Sequence, residues 1–432
     1  MPVPSSREVG AGSGLKVPGL AALGCLLAAR PPGEALEWEC VVALARQHGL
    51  SPLFYWRTAR SPGRAAVPAH LLEQLKNDLY CAVRRTMLAE RQLSELLMAL
   101  DAAGVPVLVL KGAAAAAFYP DPALRAYSDL DCLVPEPQLA AAENALRALG
   151  YGSHLSPAWW QNHFAHLPPM TRRNDELGVE THWRLDLGED RAGRLPAGDV
   201  WQRSVTWNLP GGQPALRLDD VDTVLHLCYH AAVQHRLHLG LHPLCDLAQV
   251  VSGWDDARWG TLMSRARAYG LSRAVDLLLA LAARWLSLEI PPEIRRSWQP
   301  LAPIVEGWLA RLATPQAGAP AAMVVAGSAR ALGPRLRHLL WHVFLPRQGM
   351  AVVYGIPADS ARIWLTYAWR PFHLLRKHGG TLWRVLRGDR AARAAWDSDV
   401  WLEQWLQEPR SDGRAGGAGK AGARLDKEPT TE

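Results

Sequence analysis

Cysteine is scarce in this chain of 432 residues, and the six that occur form no motif. Cys25, Cys40, Cys81, Cys132, Cys228 and Cys245 stand apart, and no Cys-x-x-Cys occurs. A disulfide framework and a cysteine-ligated metal site therefore have no support, and free thiols in a reducing cytosol are expected. Long apolar runs are missing too. No stretch reaches the ~18 uninterrupted apolar residues of a membrane-spanning helix. The nearest, residues 274–288, is broken by Asp276 and Arg284. The apolar residues 20–29 follow only Arg7 and Lys16 and precede Pro31-Pro32, so residues 17–30 read as a first helix rather than a signal-peptide core. Charge of one sign is not abundant either. The net charge of +6 and pI near 9.1 allow an acidic partner such as a nucleoside triphosphate without establishing nucleic-acid binding, and no RNA-binding module is recognisable. With 49% hydrophobic and 20% charged residues, the chain has the balance of a globular protein of two or three domains.

The stretch 107–134, VLVLKGAAAAAFYPDPALRAYSDLDCLV, is the most informative. The apolar residues 107–110 read as a buried strand that ends in Lys111-Gly112, and an alanine-rich helix follows. Beyond a proline-containing loop come Arg125, Ser128-Asp129-Leu130-Asp131, Leu133 and Val134. Asp129 and Asp131 are two apart, so a strand points both carboxylates to one face. Two such charges repel unless a cation lies between them, and removing one relieves the repulsion. A surface turn is the plainer alternative, because Ser-Asp is common in turns; the apolar Leu133-Val134 favours a strand. Residues 178–185, GVETHWRL, alternate in the same way. They put Glu180, His182 and Arg184 on one face, with Glu180 the natural third carboxylate. Three carboxylates can hold one or two Mg²⁺ ions, which prefer oxygen ligands. His182 reads either as a support to such a site or as a half-buried strand histidine bonded to backbone.

Strand, Gly112, helix and then Arg125-x-x-Ser128-Asp129-x-Asp131-x-Leu133-Val134 resemble the DNA polymerase β-type nucleotidyltransferase superfamily. More closely, the chain resembles a bacterial family of largely uncharacterised nucleotidyltransferases, in which Lys-Gly stands where the wider superfamily has Gly-Gly or Gly-Ser. The resemblance covers roughly residues 15–300. It implies an α+β fold: a nucleotidyltransferase-type mixed sheet with flanking helices, plus N-terminal and C-terminal helical regions. It also implies that Asp129, Asp131 and Glu180 are the catalytic metal ligands, for Mg²⁺ with Mn²⁺ as the alternative. Lys111, Gly112, Arg125 and Ser128 would bind the nucleotide, with Gly112 letting the backbone approach the triphosphate at a helix N-terminus. Two departures stand out. Ala113 replaces a serine that often donates to a phosphate, and Gly112 and Asp129 are 17 residues apart, longer than usual.

Six regions are expected along the chain. Residues 1–14 are Pro/Gly/Ser-rich and read as disordered. Residues 15–103 read as helical, with Gly49 a C-cap, Ser51 an N-cap, and one long amphipathic helix from about 71 to 103. Residues 104–210 are the α/β core, with Trp159, Trp160, His163, Phe164 and His166 in a loop and short helix over the site. Residues 211–300 are helical and complete the cleft. There His226 and His230 share a helix face and Asp246 follows; these three line the cleft or satisfy buried contacts, and no glutamate flanks the histidines as a metalloprotease requires. Residues 301–408 are basic and tryptophan-rich, suited either to packing with a solvated basic face or to peripheral contact with a membrane surface or binding of nucleic acid. Residues 409–432 read as a disordered tail.

Two functions remain open on the sequence. One is a cytoplasmic, Mg²⁺-dependent enzyme moving a nucleoside monophosphate, from ATP by preference, to an unknown hydroxyl or phosphate acceptor. The other is a catalytically inactive binding or assembly protein on the same fold, associated with a membrane surface. Fold alone does not choose between them.

Overall fold

The computed structural model describes residues 19–28, 37–61, 67–153, 164–173, 177–185, 195–296, 302–313, 343–357 and 359–407, with single positions 160, 175, 298 and 340. The segments 1–14 and 409–432 lie outside the described residues, as do Trp159, His163 and most of 335–343.

Five strands form one mixed sheet in the order β3-β2-β1-β5-β4. They are β1 (Leu108–Val109), β2 (Asp129–Leu133), β3 (Gly178–His182), β4 (Val205–Asn208) and β5 (Pro214–Arg217). β2 runs antiparallel to β1 and parallel to β3, while β5 is parallel to β1. β4 and β5 are a hairpin beyond the three strands read from sequence, and β5 lies past residue 210 in a stretch read as helical. The Pro210-Gly211-Gly212 turn between two short alternating segments was its sequence signal.

The period-two pattern of the strands divides the interior into two cores. Leu108, Leu110 and Leu133 join the larger one, and Val107, Val109, Leu130, Cys132 and Val179 join the other. Asp131 shares a strand face with Leu133, so it points to the side covered by the later helices. The edge of β3 is covered by residues 165–171, which run antiparallel beside it: Leu167 N–H donates to Thr181 O at 2.7 Å and Met170 N–H to Val179 O at 3.0 Å. This pairing keeps an otherwise open sheet edge closed.

Helix α4 (Ala69–Ala102) is the long amphipathic helix expected from sequence. Its 34 residues span about 50 Å at ~1.5 Å per residue, long enough to serve both cores. Leu71 and Leu75 enter the larger core, and Leu93, Leu96 and Leu100 the smaller. Before it come α1 (Leu20–Leu27), α2 (Trp38–Gln47) and α3 (Ser51–Ala59). Gly49, at φ 63°, ends α2 as expected. Ser51 is not an N-cap: Leu50 holds that position without a side-chain bond, and Ser51 is buried in the first turn beside Pro52.

The larger core continues through helices Asp220–Cys228, His242–Val250, Asp256–Ala268 and Ser272–Trp285. Two C-terminal helices, Ala302–Ala313 and Arg390–Gln407, pack on each other and contribute Ile304, Trp308, Leu402 and Trp405 to it. The helices Arg347–Tyr354 and Ile363–Leu386 carry a small cluster of their own around Leu345, Met350 and Ile363.

Candidate active site

β1 ends one residue before its last interstrand bond, Leu110 N–H to Asp131 O at 2.9 Å. The chain then turns sharply at Lys111, whose φ of 44° lies in the left-handed region that disfavours a side chain. Such a conformation costs on the order of 1–3 kcal/mol and persists only when its surroundings hold it. Here the holding group is Asp131: Lys111 Nζ donates to Asp131 Oδ1 at 2.7 Å. Helix α5 (Lys111–Ala116) that follows is only six residues long, so its dipole is a weak anchor for an anion. Gly112 is required for a local reason as well. A Cβ there would collide with the Tyr127 side chain, which packs directly over it.

Parallel pairing of β2 and β3 sets Asp131 opposite Glu180, and Leu133 opposite His182. The register brings Asp131, Glu180 and His182 together, with ligand atoms of all three within 4.8 Å of one another. His182 Nε2 is 2.9 Å from Asp131 Oδ1 and 3.7 Å from Glu180 Oε2. His166, from the edge segment, places Nδ1 4.0 Å from Glu180 Oε2 and donates to its neighbour's carbonyl, Leu167 O, at 2.8 Å. Asp129 lies outside this tight group. It lines the same cleft on the same strand face, and Ser128 hydrogen-bonds to its carboxylate.

Charge and burial compete at each group. Burial pushes Asp131 up, but the Lys111 ammonium and the His182 bond override it and hold the carboxyl far below its ordinary range. Lys111 is raised because the same pairing outweighs its burial. Glu180 lacks such a partner. Burial, reinforced by the negative charge of Asp131, pushes it up to about 7. Asp129 is raised for the same two reasons. Burial lowers His182, and it lowers His166 to about 4, so both imidazoles are neutral; His182 Nε2 donates to Asp131 and would offer a lone pair to a metal only by giving up that bond. Two carboxylates, one of them starved of positive charge, and a neutral imidazole fit a divalent metal.

The acids open onto a cleft of about 460 Å³ between the sheet and the helical layer. Lys111, Gly112, Arg125, Ser128, Asp129, Asp131 and Glu180 all line it. The residues singled out from sequence are thus brought to one cavity, and His182 and His166 are added beside them. The chain matches the family model described as an uncharacterised nucleotidyltransferase over residues 34–287. It belongs to that family. No curated protein and no solved structure matches it.

The helical wall of the cleft faces the acids with Asp246, His230, His235 and His242. Asp246 is buried and fully engaged. It accepts from Arg125 Nε and Arg125 Nη2, each at 2.8 Å, and from Tyr119 Oη at 2.7 Å. Arg125, at the cleft wall, is therefore tied first to Asp246. His226 does not reach the cleft; it is buried beside Lys111 at a small cavity of about 10 Å³. The helix that carries it changes character where it meets the cleft. Asp220–Cys228 is α-helical, Tyr229–Gln234 is a π-helix, and Arg236 and Leu237 then take φ of 45° and 61°. A π-turn re-aims side chains by one position, which is how His230 and His235 both come to face the cavity.

This irregular wall is latched from outside the family match. Arg236 Nε donates to Glu403 Oε2 at 3.0 Å, and both side chains are about nine-tenths buried. Glu403→Ala leaves the guanidinium buried without this carboxylate. It is expected to cost on the order of 3 kcal/mol of stability, read from urea unfolding.

Two other histidines give the fold an acid limit. Burial lowers His226 and His242 to about 3, from the ordinary 6.5. Between those values the unfolded chain binds more protons than the folded one, so stability falls as pH drops. Glu180 works the other way between 4.5 and about 7 and offsets one of the two histidines. His166, lowered to about 4, and His230, lowered well below its ordinary value, add to the loss. Lowering the pH from near 7 to near 4 is therefore expected to cost more than about 3 kcal/mol, at ~1.4 kcal/mol for each unit by which a pKa differs between the folded and unfolded chain. Thermal melts across that range measure it; a midpoint that rises on acidification contradicts the assignment of neutral buried histidines.

Proposed function

We propose that the chain transfers a nucleoside monophosphate from a nucleoside triphosphate, ATP by preference, to a hydroxyl or phosphate acceptor. The observation that carries this reading is the Asp131–Glu180–His182 group on the wall of a cleft large enough for a nucleotide. Asp131, Glu180 and His182 would hold a divalent ion, with Asp129 as a further ligand from the same strand face. Mg²⁺ suits the carboxylates, and the imidazole makes Mn²⁺ a stronger alternative than the acids alone imply. When bound, the ion neutralises charge on the phosphate oxygens and orients them.

The protein's own groups supply the rest. An acceptor oxygen attacks the α-phosphorus and forms the new P–O bond. The bond to the bridging oxygen breaks, and pyrophosphate leaves with that electron pair. For a hydroxyl acceptor, Glu180 or Asp131 would take the proton or orient the nucleophile; the upward push that burial and the Asp131 charge give Glu180 belongs to the metal-free site, and a bound ion would oppose it. Lys111 and Arg125 line the phosphate side of the cleft, and Ser128 orients Asp129. A cytosolic location, where nucleoside triphosphates are available, belongs to the same proposal.

One observation favours a second reading, an inactive binding or assembly protein: the Lys111 ammonium already sits on Asp131, where a cation would go. The two readings part in a single assay. Purified protein is offered each nucleoside triphosphate with Mg²⁺ or Mn²⁺ and a small-molecule extract, and pyrophosphate release is followed. Divalent-dependent release supports the enzyme; a thermal shift with nucleotide but no release under any condition supports the binding protein.

Lys111→Met tests the lysine's part. It is expected to weaken ATP binding by roughly 1–3 kcal/mol, the scale of a charge-assisted hydrogen bond. Lys111→Arg should restore only some of this, because a planar fork needs different room. Calorimetry at fixed salt and metal decides: unchanged affinity in Lys111→Met makes the lysine a counter-ion for Asp131 alone.

A further inference from the structure

The Ile363–Leu386 helix shows two unlike faces. Ile363, Thr366 and Arg370 are buried against the rest of the C-terminal region. Trp364, Leu365, Trp369, Phe372, Leu375 and Trp383 are between 48% and 70% exposed. At ~100° per residue these six fall within an arc of about 140°, one continuous stripe along the helix. Single exposed apolar residues are ordinary, but a contiguous stripe of this size marks an interaction surface.

Its charge says what kind. The helix contains no aspartate or glutamate; exposed Arg376 falls within the arc of the stripe, exposed Lys377 lies about 80° past its edge, and Arg384 follows. Arg362 and Arg387, just beyond its ends, are exposed too. Tryptophans near both ends carry arginine partners: Arg347 lies 5.5 Å from the Trp364 ring and Arg387 4.6 Å from the Trp383 ring. Tryptophan with arginine is the composition of a helix lying in the headgroup region, where the ring is half buried and the cation meets lipid phosphate. No helix among the described residues is long and apolar enough to cross a membrane, so the helix would lie on the surface rather than span it.

We propose that this stripe docks the protein on an anionic lipid surface, with the apolar side chains entering the headgroup boundary and the flanking basic residues held by lipid phosphate. The proposal is independent of the nucleotidyl-transfer reading, because none of these residues lines the cleft.

The test is flotation of the full chain with phosphatidylcholine vesicles, with or without phosphatidylglycerol. The protein is expected to float with the anionic vesicles and to bind the neutral ones at least ~10-fold more weakly. Leu365→Ser/Trp369→Ser/Leu375→Ser is expected to lose at least ~10-fold in binding to the anionic vesicles, through lost apolar burial. Circular dichroism should leave its fold unchanged, since all three side chains are exposed. Arg376→Gln/Lys377→Gln removes the charge alone and should weaken binding while making it less salt-sensitive. Failure of the unaltered protein to float overturns the proposal, as does equal binding by the stripe variant. Self-association that the stripe variant abolishes, or RNA binding lost with it, would assign the surface to a second copy or to nucleic acid instead.

Discussion

Asp131→Asn is expected to abolish nucleotidyl transfer and to lower the thermal midpoint as well. The loss of transfer follows from the site: Asp131 is shared by the group that fits a metal, by Lys111 and by His182. The effect on stability runs against what the paired acids alone imply. Two carboxylates on one strand face lead to the expectation that removing one relieves repulsion and leaves the metal-free fold intact or slightly more stable. The structure supplies the counter-charge that this reasoning lacked. Lys111 Nζ lies 2.7 Å from the carboxylate, with the lysine side chain 16% and the aspartate side chain 1% exposed. Replacing Asp131 with a neutral amide leaves an ammonium buried without its partner and releases the constraint on a left-handed Lys111. Breaking a buried pair from one side costs about 3–5 kcal/mol, well above the repulsion removed. A double variant separates the two roles. Lys111→Met/Asp131→Asn removes both charges and should recover most of the stability, while transfer stays absent. Urea unfolding and a turnover assay on the three variants decide it. Full turnover in Asp131→Asn ends the catalytic assignment, and a stabilised single variant ends the ion-pair account.

The same residues mark where sequence reasoning reached and where it stopped. Alternation in Ser128–Val134 and in 178–185 was enough to place Asp129, Asp131 and Glu180 on one side of two strands, because side-chain direction in a strand is a local property. Register is not local. That Asp131 stands opposite Glu180 rather than Gly178 depends on how β2 and β3 slide past each other, and this register brings His182 into the group. Lys111 illustrates the same limit. As a residue closing a strand it reads as a free cation for phosphate; the β1–β2 pairing and the turn after it aim its ammonium at Asp131. In the histidine region, the sequence reads as helix with His226 and His230 on one face. The helix instead slips into a π-turn at Tyr229, with Arg236 beyond it held by Glu403, 167 residues further along. No window of local sequence contains that partner.

Asp246→Ala is expected to be the most destabilising single change in the cleft wall. Asp246 is 1% exposed and accepts two bonds from the Arg125 fork at 2.8 Å, plus one from Tyr119 at 2.7 Å. Burial alone disfavours the guanidinium charge, yet the pairing with Asp246 more than compensates and raises Arg125 above its ordinary value. Burial, with the Asp246 charge, likewise raises Tyr119 well above its own and keeps its hydroxyl protonated as a donor. Removing the carboxylate strands a buried cation and a buried hydroxyl at once. The cost should be about 3–5 kcal/mol, at the upper end for one substitution. Asp246→Asn keeps the shape and some acceptor capacity, so it should cost less. Arg125→Met/Asp246→Leu removes both charges and should recover part of the loss, as replacing a whole buried pair often does. These variants also bear on what Arg125 does for the nucleotide. It begins the loop that delivers Ser128 and Asp129 to the sheet, and its guanidinium also donates to the neighbouring Ala126 carbonyl. If Arg125 acts by shaping that loop, Asp246→Asn will weaken nucleotide binding even though Asp246 would repel a phosphate directly. If Arg125 binds phosphate itself, freeing it from Asp246 will tighten binding. Nucleotide affinity of Asp246→Asn, measured beside its melting curve, therefore has opposite signs under the two roles.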